Sequence, residues 1–142
     1  MGNTKPIGVA YEDQDIVGSD NLSGADIIAT NEIGYAAAAQ GTATQLTSKS
    51  TGVTLNASAG QITMNNASLN GTTNVAFTLT NSKISAKDVI IVNVAGGAAA
   101  NTSYNCWVSG HGAGTCDFVL RNITGGALSE AVVLNFAVIH CL

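Results

Sequence analysis

Apolar and polar positions alternate through most of the chain after about residue 44. Val75, Phe77 and Leu79 fall on one side of a pleat while Ala76, Thr78 and Thr80 fall on the other. Val132, Leu134, Phe136 and Val138 form the longest such stripe. This period of two predicts eight strands, over residues 44–48, 53–56, 61–64, 74–80, 88–95, 103–109, 115–122 and 131–140. Turn-forming groups separate them: Ser50-Thr51-Gly52, Ser58-Ala59-Gly60, Asn70-Gly71, Gly96-Gly97 and Gly125-Gly126. Residues 89–94 are apolar on both faces apart from Asn93, which predicts a central strand.

Residues 103–122 read as a hairpin around the Gly-rich tip Gly110-His111-Gly112-Ala113-Gly114. Tyr104, Cys106 and Val108 share one face of its first strand; Cys116, Phe118 and Leu120 share one face of its second. Folding it about His111 sets Cys106 opposite Cys116. Short strands at this spacing, with no long helical pattern, predict an all-β fold. The expected form is an antiparallel β-sandwich of about eight strands, a jelly roll or an immunoglobulin-like sandwich.

Residues 1–43 have another texture. Ile7, Val9 and Tyr11 alternate with Gly8 and Ala10 as an edge strand would, and Ile16 and Val17 follow as isolated apolar pegs. Ala36 to Ala39 fit a short helical turn, and Gly34 interrupts anything longer. Such a segment cannot close a core alone. The chain therefore divides into an extended N-terminal anchoring arm, 1–43, and a β-sandwich domain, 44–142.

Charge sharpens this division. Glu12, Asp13, Asp15, Asp20, Asp26 and Glu32 stand against Lys5 in the arm, for a net -5. Asp88, Asp117 and Glu130 stand against Lys49, Lys83, Lys87 and Arg121 in the remainder, for a net +1. An acidic arm on a near-neutral body suits docking on another protein. No basic patch invites nucleic acid. No apolar run is long enough to span a bilayer, and residues 1–15 lack a basic-then-apolar leader, so a cytosolic chain is expected. Only 10% of residues are charged, against about a quarter in most soluble domains. Neutral polar residues and 16 glycines take their place, as in a subunit packed against neighbours.

Candidate chemistry is thin. With Cys106 facing Cys116, Cα atoms ~4.5–5.5 Å apart lie within disulfide range. In a reducing compartment the same pair serves as two small buried hydrophobes. Cys106, His111 and Cys116 cannot share a zinc ion, because five residues of strand put His111 roughly 16 Å from either cysteine. Only His111 and His140 could act as bases, and no Gly-x-Ser-x-Gly turn accompanies them. Asp88 opens a strand, Asp117 alternates outward and Glu130 lies in a loop, so each reads as a solvated carboxylate rather than half of a catalytic pair. No enzyme activity, catalytic residue, metal or cofactor is expected.

Several stretches carry a resemblance. Gln45 to Asn56 (QLTSKSTGVTLN), followed by Gly60-Gln61-Ile62-Thr63-Met64 and Phe77-Thr78-Leu79-Thr80-Asn81, resembles a β-domain of small virion proteins of tailed bacteriophages. The closing run Gly125 to Ile139 (GGALSEAVVLNFAVI) resembles the end of the same domain, and Pro6 to Tyr11 resembles the start of head-decorating or fibre-like proteins. The resemblance implies a structural protein of the virion, commonly a homotrimer. It would be made in the host cytoplasm and held on the capsid surface as a decoration (cement) protein bound to the major capsid protein. The arm residues Ile7, Val9, Tyr11, Ile16 and Val17 would make the capsid contact. A receptor- or glycan-binding domain of a phage fibre is the alternative, with Trp107 and Tyr104 as its aromatics.

Overall fold

The computed structural model describes residues 32–141. Its strands are β1 (Gln40–Thr44), β2 (Val53–Thr54), β3 (Ala59–Thr63), β4 (Asn74–Thr80), β5 (Val89–Gly96), β6 (Tyr104–Gly112), β7 (Thr115–Asn122) and β8 (Val133–Ile139). Seven fall where the alternation predicts them. The first lies earlier than expected, with four of its five residues in the segment assigned to the arm, and the short helical turn Ala37–Ala39 leads into it.

Two four-stranded sheets result, ordered β1-β3-β8-β5 and β2-β4-β7-β6. The fold is the expected β-sandwich, but its sheets are mixed. β1 runs parallel to β3 and β2 parallel to β4, while the pairs β3–β8, β5–β8, β4–β7 and β6–β7 are antiparallel. Parallel neighbours need a crossover. Here the strand between them supplies it: β2 lies in the second sheet between β1 and β3, and β3 lies in the first between β2 and β4. Among the described residues only β6 and β7 form a hairpin of consecutive strands.

The inward stripes meet as predicted. Ile62, Leu134, Phe136 and Val138 from one sheet face Phe77, Leu79, Cys116, Phe118 and Leu120 from the other, all almost fully buried. Phe118 sits at the centre. Its ring lies 5.7 Å from Phe77 at an interplanar angle of 77° and 6.0 Å from Phe136 at 45°. The edge-on contact with Phe77 adds to the area these rings bury.

Three expectations change. β1 occupies 40–44 rather than 44–48 because its inward residues, Gly41 and Ala43, are small enough to admit Leu55. A Cβ on Gly41 would lie 2.7 Å from Leu55 Cδ1, and one on Gly60 beside it 2.6 Å from the Gly41 carbonyl oxygen. Gln45 instead turns its amide into the following loop, donating to the carbonyls of Lys49 and Thr51. Second, β5 is an edge strand, not a central one. Among the described residues it pairs only with β8, and Val89 and Ile91 stay half-exposed on its outer face.

The third change concerns the β6–β7 hairpin, which turns at Ala113-Gly114 rather than at His111. Gly112 pairs with Thr115, and Gly114 takes φ 81°, the left-handed region that glycine enters freely. A bulge between Val108 and Gly110 shifts the register once more. The tip is also tied down: Gly114 N–H donates to the Ile84 carbonyl at 2.9 Å, and its own carbonyl accepts from Asn81 N–H at 2.8 Å.

Candidate functional site

The densest polar constellation lies where β3 begins, β5 begins and β8 ends. Asp88 directly precedes β5 and is only 3% exposed, not the solvated residue expected from its position. Its Oδ2 accepts from Ser85 N–H at 2.8 Å and its Oδ1 from the Ser85 hydroxyl at 2.7 Å. Cys141 N–H donates to Oδ1 at 3.1 Å, and His140 Nδ1 lies 3.1 Å from Oδ2. The Ser85 backbone N–H, then the Ser85 hydroxyl, hold this carboxyl well below the usual carboxylate range, against the opposing effect of burial. Hydrogen bonds to the charged form win.

His140 bridges two groups. A carboxylate only accepts, so Nδ1 is the protonated nitrogen facing Asp88, and in the neutral ring Nε2 carries the lone pair. Ser58 Oγ lies 3.3 Å from that Nε2. The Ser58 backbone is fixed on both sides: its N–H donates to Ala39 at 3.0 Å and its carbonyl accepts from Val138 at 2.8 Å. Beside Ser58 and His140 opens a pocket lined by Ala36, Ala38, Ala39, Asn56, Ala57 and Lys83. Ser58, Asp88 and His140 are thus in the order and contact of a nucleophile, an orienting acid and a base. No local motif announces them, because Ser58 and His140 are 82 positions apart.

Because the folded-state pKa of Asp88 is depressed, its contribution to stability is present above the unfolded value near 4 and is lost as pH falls below it. Asp88→Asn is expected to lower the urea midpoint at pH 7 and to flatten its fall below about pH 4. Equal acid-induced shifts in wild type and variant would show that Asp88 contributes nothing to acid sensitivity.

A second buried polar group closes another end of the sandwich. Lys49 is 3% exposed, and its Nζ donates to the Asn65 carbonyl at 2.6 Å and to that of Glu130. Burial lowers its pKa, opposed by the Glu130 carboxylate. Glu130 Oε1 accepts from Ala99 N–H at 2.6 Å. Glu130 Oε2 and the Tyr104 hydroxyl are buried without hydrogen-bond partners among the described residues, and the Tyr104 pKa is raised, first by burial and then by Glu130. They stitch loops together.

The cysteines are not paired. Cys106 lies opposite Leu120 and Cys116 opposite His111, so the shifted turn separates them by four residues of register, roughly 13 Å. All three thiols are free. Burial pushes Cys116 up to about 12, with Asp117 adding to it, and burial also raises Cys106. Both act as small core hydrophobes. His111 is exposed, and Trp107 lies half-buried opposite Val119. Tyr104 faces inward as predicted. The arm residues Ile7, Val9, Tyr11, Ile16 and Val17 lie outside the described residues. Among the described residues, no group of three or more His, Cys, Asp or Glu could hold a metal ion, and no helix is long and apolar enough to cross a membrane.

The outer face of the β5–β8 edge is the other notable surface. Val89 and Ile139 are register partners, each 51% exposed, and Ile91 beside them is 52% exposed opposite Ala137. Three large apolar side chains thus share one exposed strip. Comparison with known proteins found no matching family, no matching curated protein and no matching solved structure.

Proposed function

We propose that this chain is a structural subunit of a virus particle, a capsid-decoration (cement) protein that self-associates as a homotrimer and binds the major capsid protein. The observation that carries this reading is the apolar strip of Val89, Ile91 and Ile139 on a low-charge sandwich. Each Å² of apolar surface covered contributes about 25 cal/mol before ordering costs. A second copy that covers the strip recovers what solvent exposure forfeits. The acidic arm, with Ile7, Val9, Tyr11, Ile16 and Val17, supplies the separate contact to the capsid protein by strand addition. Multiplied over a shell, weak single contacts hold firmly.

Two measurements test the halves of this reading. Light scattering is expected to find a trimer for the full chain and a folded monomer for the double variant Val89→Lys, Ile91→Lys. Deletion of residues 1–20 is expected to leave the trimer intact and to abolish co-sedimentation with expanded phage heads. A monomeric wild type, or a truncated chain that still binds heads, would refute the corresponding half.

A further inference from the structure

We propose that Ser58, His140 and Asp88 form an acyl-transfer centre that hydrolyses short-chain carboxylic esters, an activity independent of the structural role above. Ser58 Oγ stands 3.3 Å from His140 Nε2, and His140 Nδ1 stands 3.1 Å from Asp88 Oδ2. The first spacing is loose for a hydrogen bond, as catalytic pairs are before substrate tightens them. A Ser-His-Asp centre is recognised by such geometry and by roles, not by fold or chain order.

Each role has its group. Asp88 is buried and held by three hydrogen bonds from Ser85 and Cys141 besides its contact with His140, so it orients the ring without moving. Ser58 is anchored through its own N–H and carbonyl, which fixes where Oγ sits. The adjoining pocket has walls of Ala36, Ala39 and Ala57, whose small side chains leave room for a short acyl group beside Ser58. Asn56, whose Oδ1 is held by Ser82 N–H at 2.8 Å, and Lys83 line the same pocket. They are the amide and ammonium donors available to a developing oxyanion.

The reaction follows from these positions. His140 Nε2 takes the Ser58 hydroxyl proton as Oγ bonds to the ester carbonyl carbon. The tetrahedral oxyanion collapses, the bond to the alcohol oxygen breaks, and the departing alkoxide takes that proton from His140. Water then attacks the acyl carbon and gives its proton to His140. Ser58 Oγ leaves with that proton, releasing the carboxylic acid. The net change is ester plus water to acid plus alcohol.

The full-length protein is tested with 4-nitrophenyl acetate and, separately, with a fluorophosphonate probe read by peptide mass spectrometry. Saturable release of 4-nitrophenol is expected, with a loss of about 100-fold or more in Ser58→Ala and in His140→Gln. His111→Gln, on the exposed hairpin, should retain the wild-type rate. The probe should add to Ser58 in the wild-type protein and not in His140→Gln. A wild-type rate insensitive to Ser58→Ala, or no adduct on Ser58 in the folded wild type, would show that the three residues only fasten the end of β8.

Discussion

Phe118→Ala is expected to destabilise the sandwich by about 3–5 kcal/mol, the range for removing a fully buried aromatic ring. Phe118 has no exposed surface and stands between Phe77 in its own sheet and Phe136 in the other. Truncation deletes both ring contacts and leaves a void between two sheets. Neither sheet can collapse into it, because each is held by ladders on both sides of the gap: β7 pairs with β4 and β6, and β8 with β3 and β5. The measurement is urea unfolding followed by circular dichroism, with the midpoint falling at constant slope. A loss below about 1 kcal/mol would mean that the sheets relax onto one another, and that this ring is not the centre of the core.

Gly97→Ala is expected to cost about 2–5 kcal/mol, from two sources that add. Gly97 follows β5 with φ 77°, a region in which any Cβ meets the following carbonyl. A Cβ there would also overlap the Ala131 carbonyl oxygen and lie 3.0 Å from the Ala131 carbonyl carbon. Both are backbone atoms next to Val132, which is fully buried, so neither side can yield cheaply. Gly114→Ala makes an informative control. It shares the positive φ of 81° but has no atom within 4 Å of its would-be Cβ, so only the conformational part of the cost should remain. If the two variants lose the same stability, the close approach at Ala131 contributes nothing.

Much of the architecture is legible in the chain because inward stripes are a local property. Phe77 and Leu79, or Leu134, Phe136 and Val138, declare their face by spacing alone, and all five are buried. Pairing partners are not local. Residues 89–94 read as central because both faces are apolar, yet strand order puts them at a sheet edge, and Val89 and Ile91 stay half-exposed on the outer face. The alternation marks the hairpin between Cys106 and Cys116 but not its turn, which falls at Ala113-Gly114 and not at His111. A register error of this kind leaves the face of every side chain nearly right while changing which side chains meet. That is why the inward set survives and the cysteine pair does not.

The Ser58–His140–Asp88 site marks the same boundary more sharply. Asp88 before a strand looks solvated because two of the residues that hold it, His140 and Cys141, lie 52 and 53 positions away. Histidine at the end of β8 and serine at the start of β3 carry no motif. They meet because β3 and β8 are antiparallel partners, with Ala59 opposite Ala137, which brings the start of one strand to the end of the other.

The sequence by itself determined an all-β body, seven of the eight strand positions and the faces that form the core, because alternation of side chains along a pleat needs no knowledge of the partner. Tertiary structure alone decided the two parallel pairings, the edge position of β5, the separation of Cys106 from Cys116 and the meeting of Ser58, Asp88 and His140. Those depend on strand order and register, which are set by the total burial of both sheets and not by any single stretch.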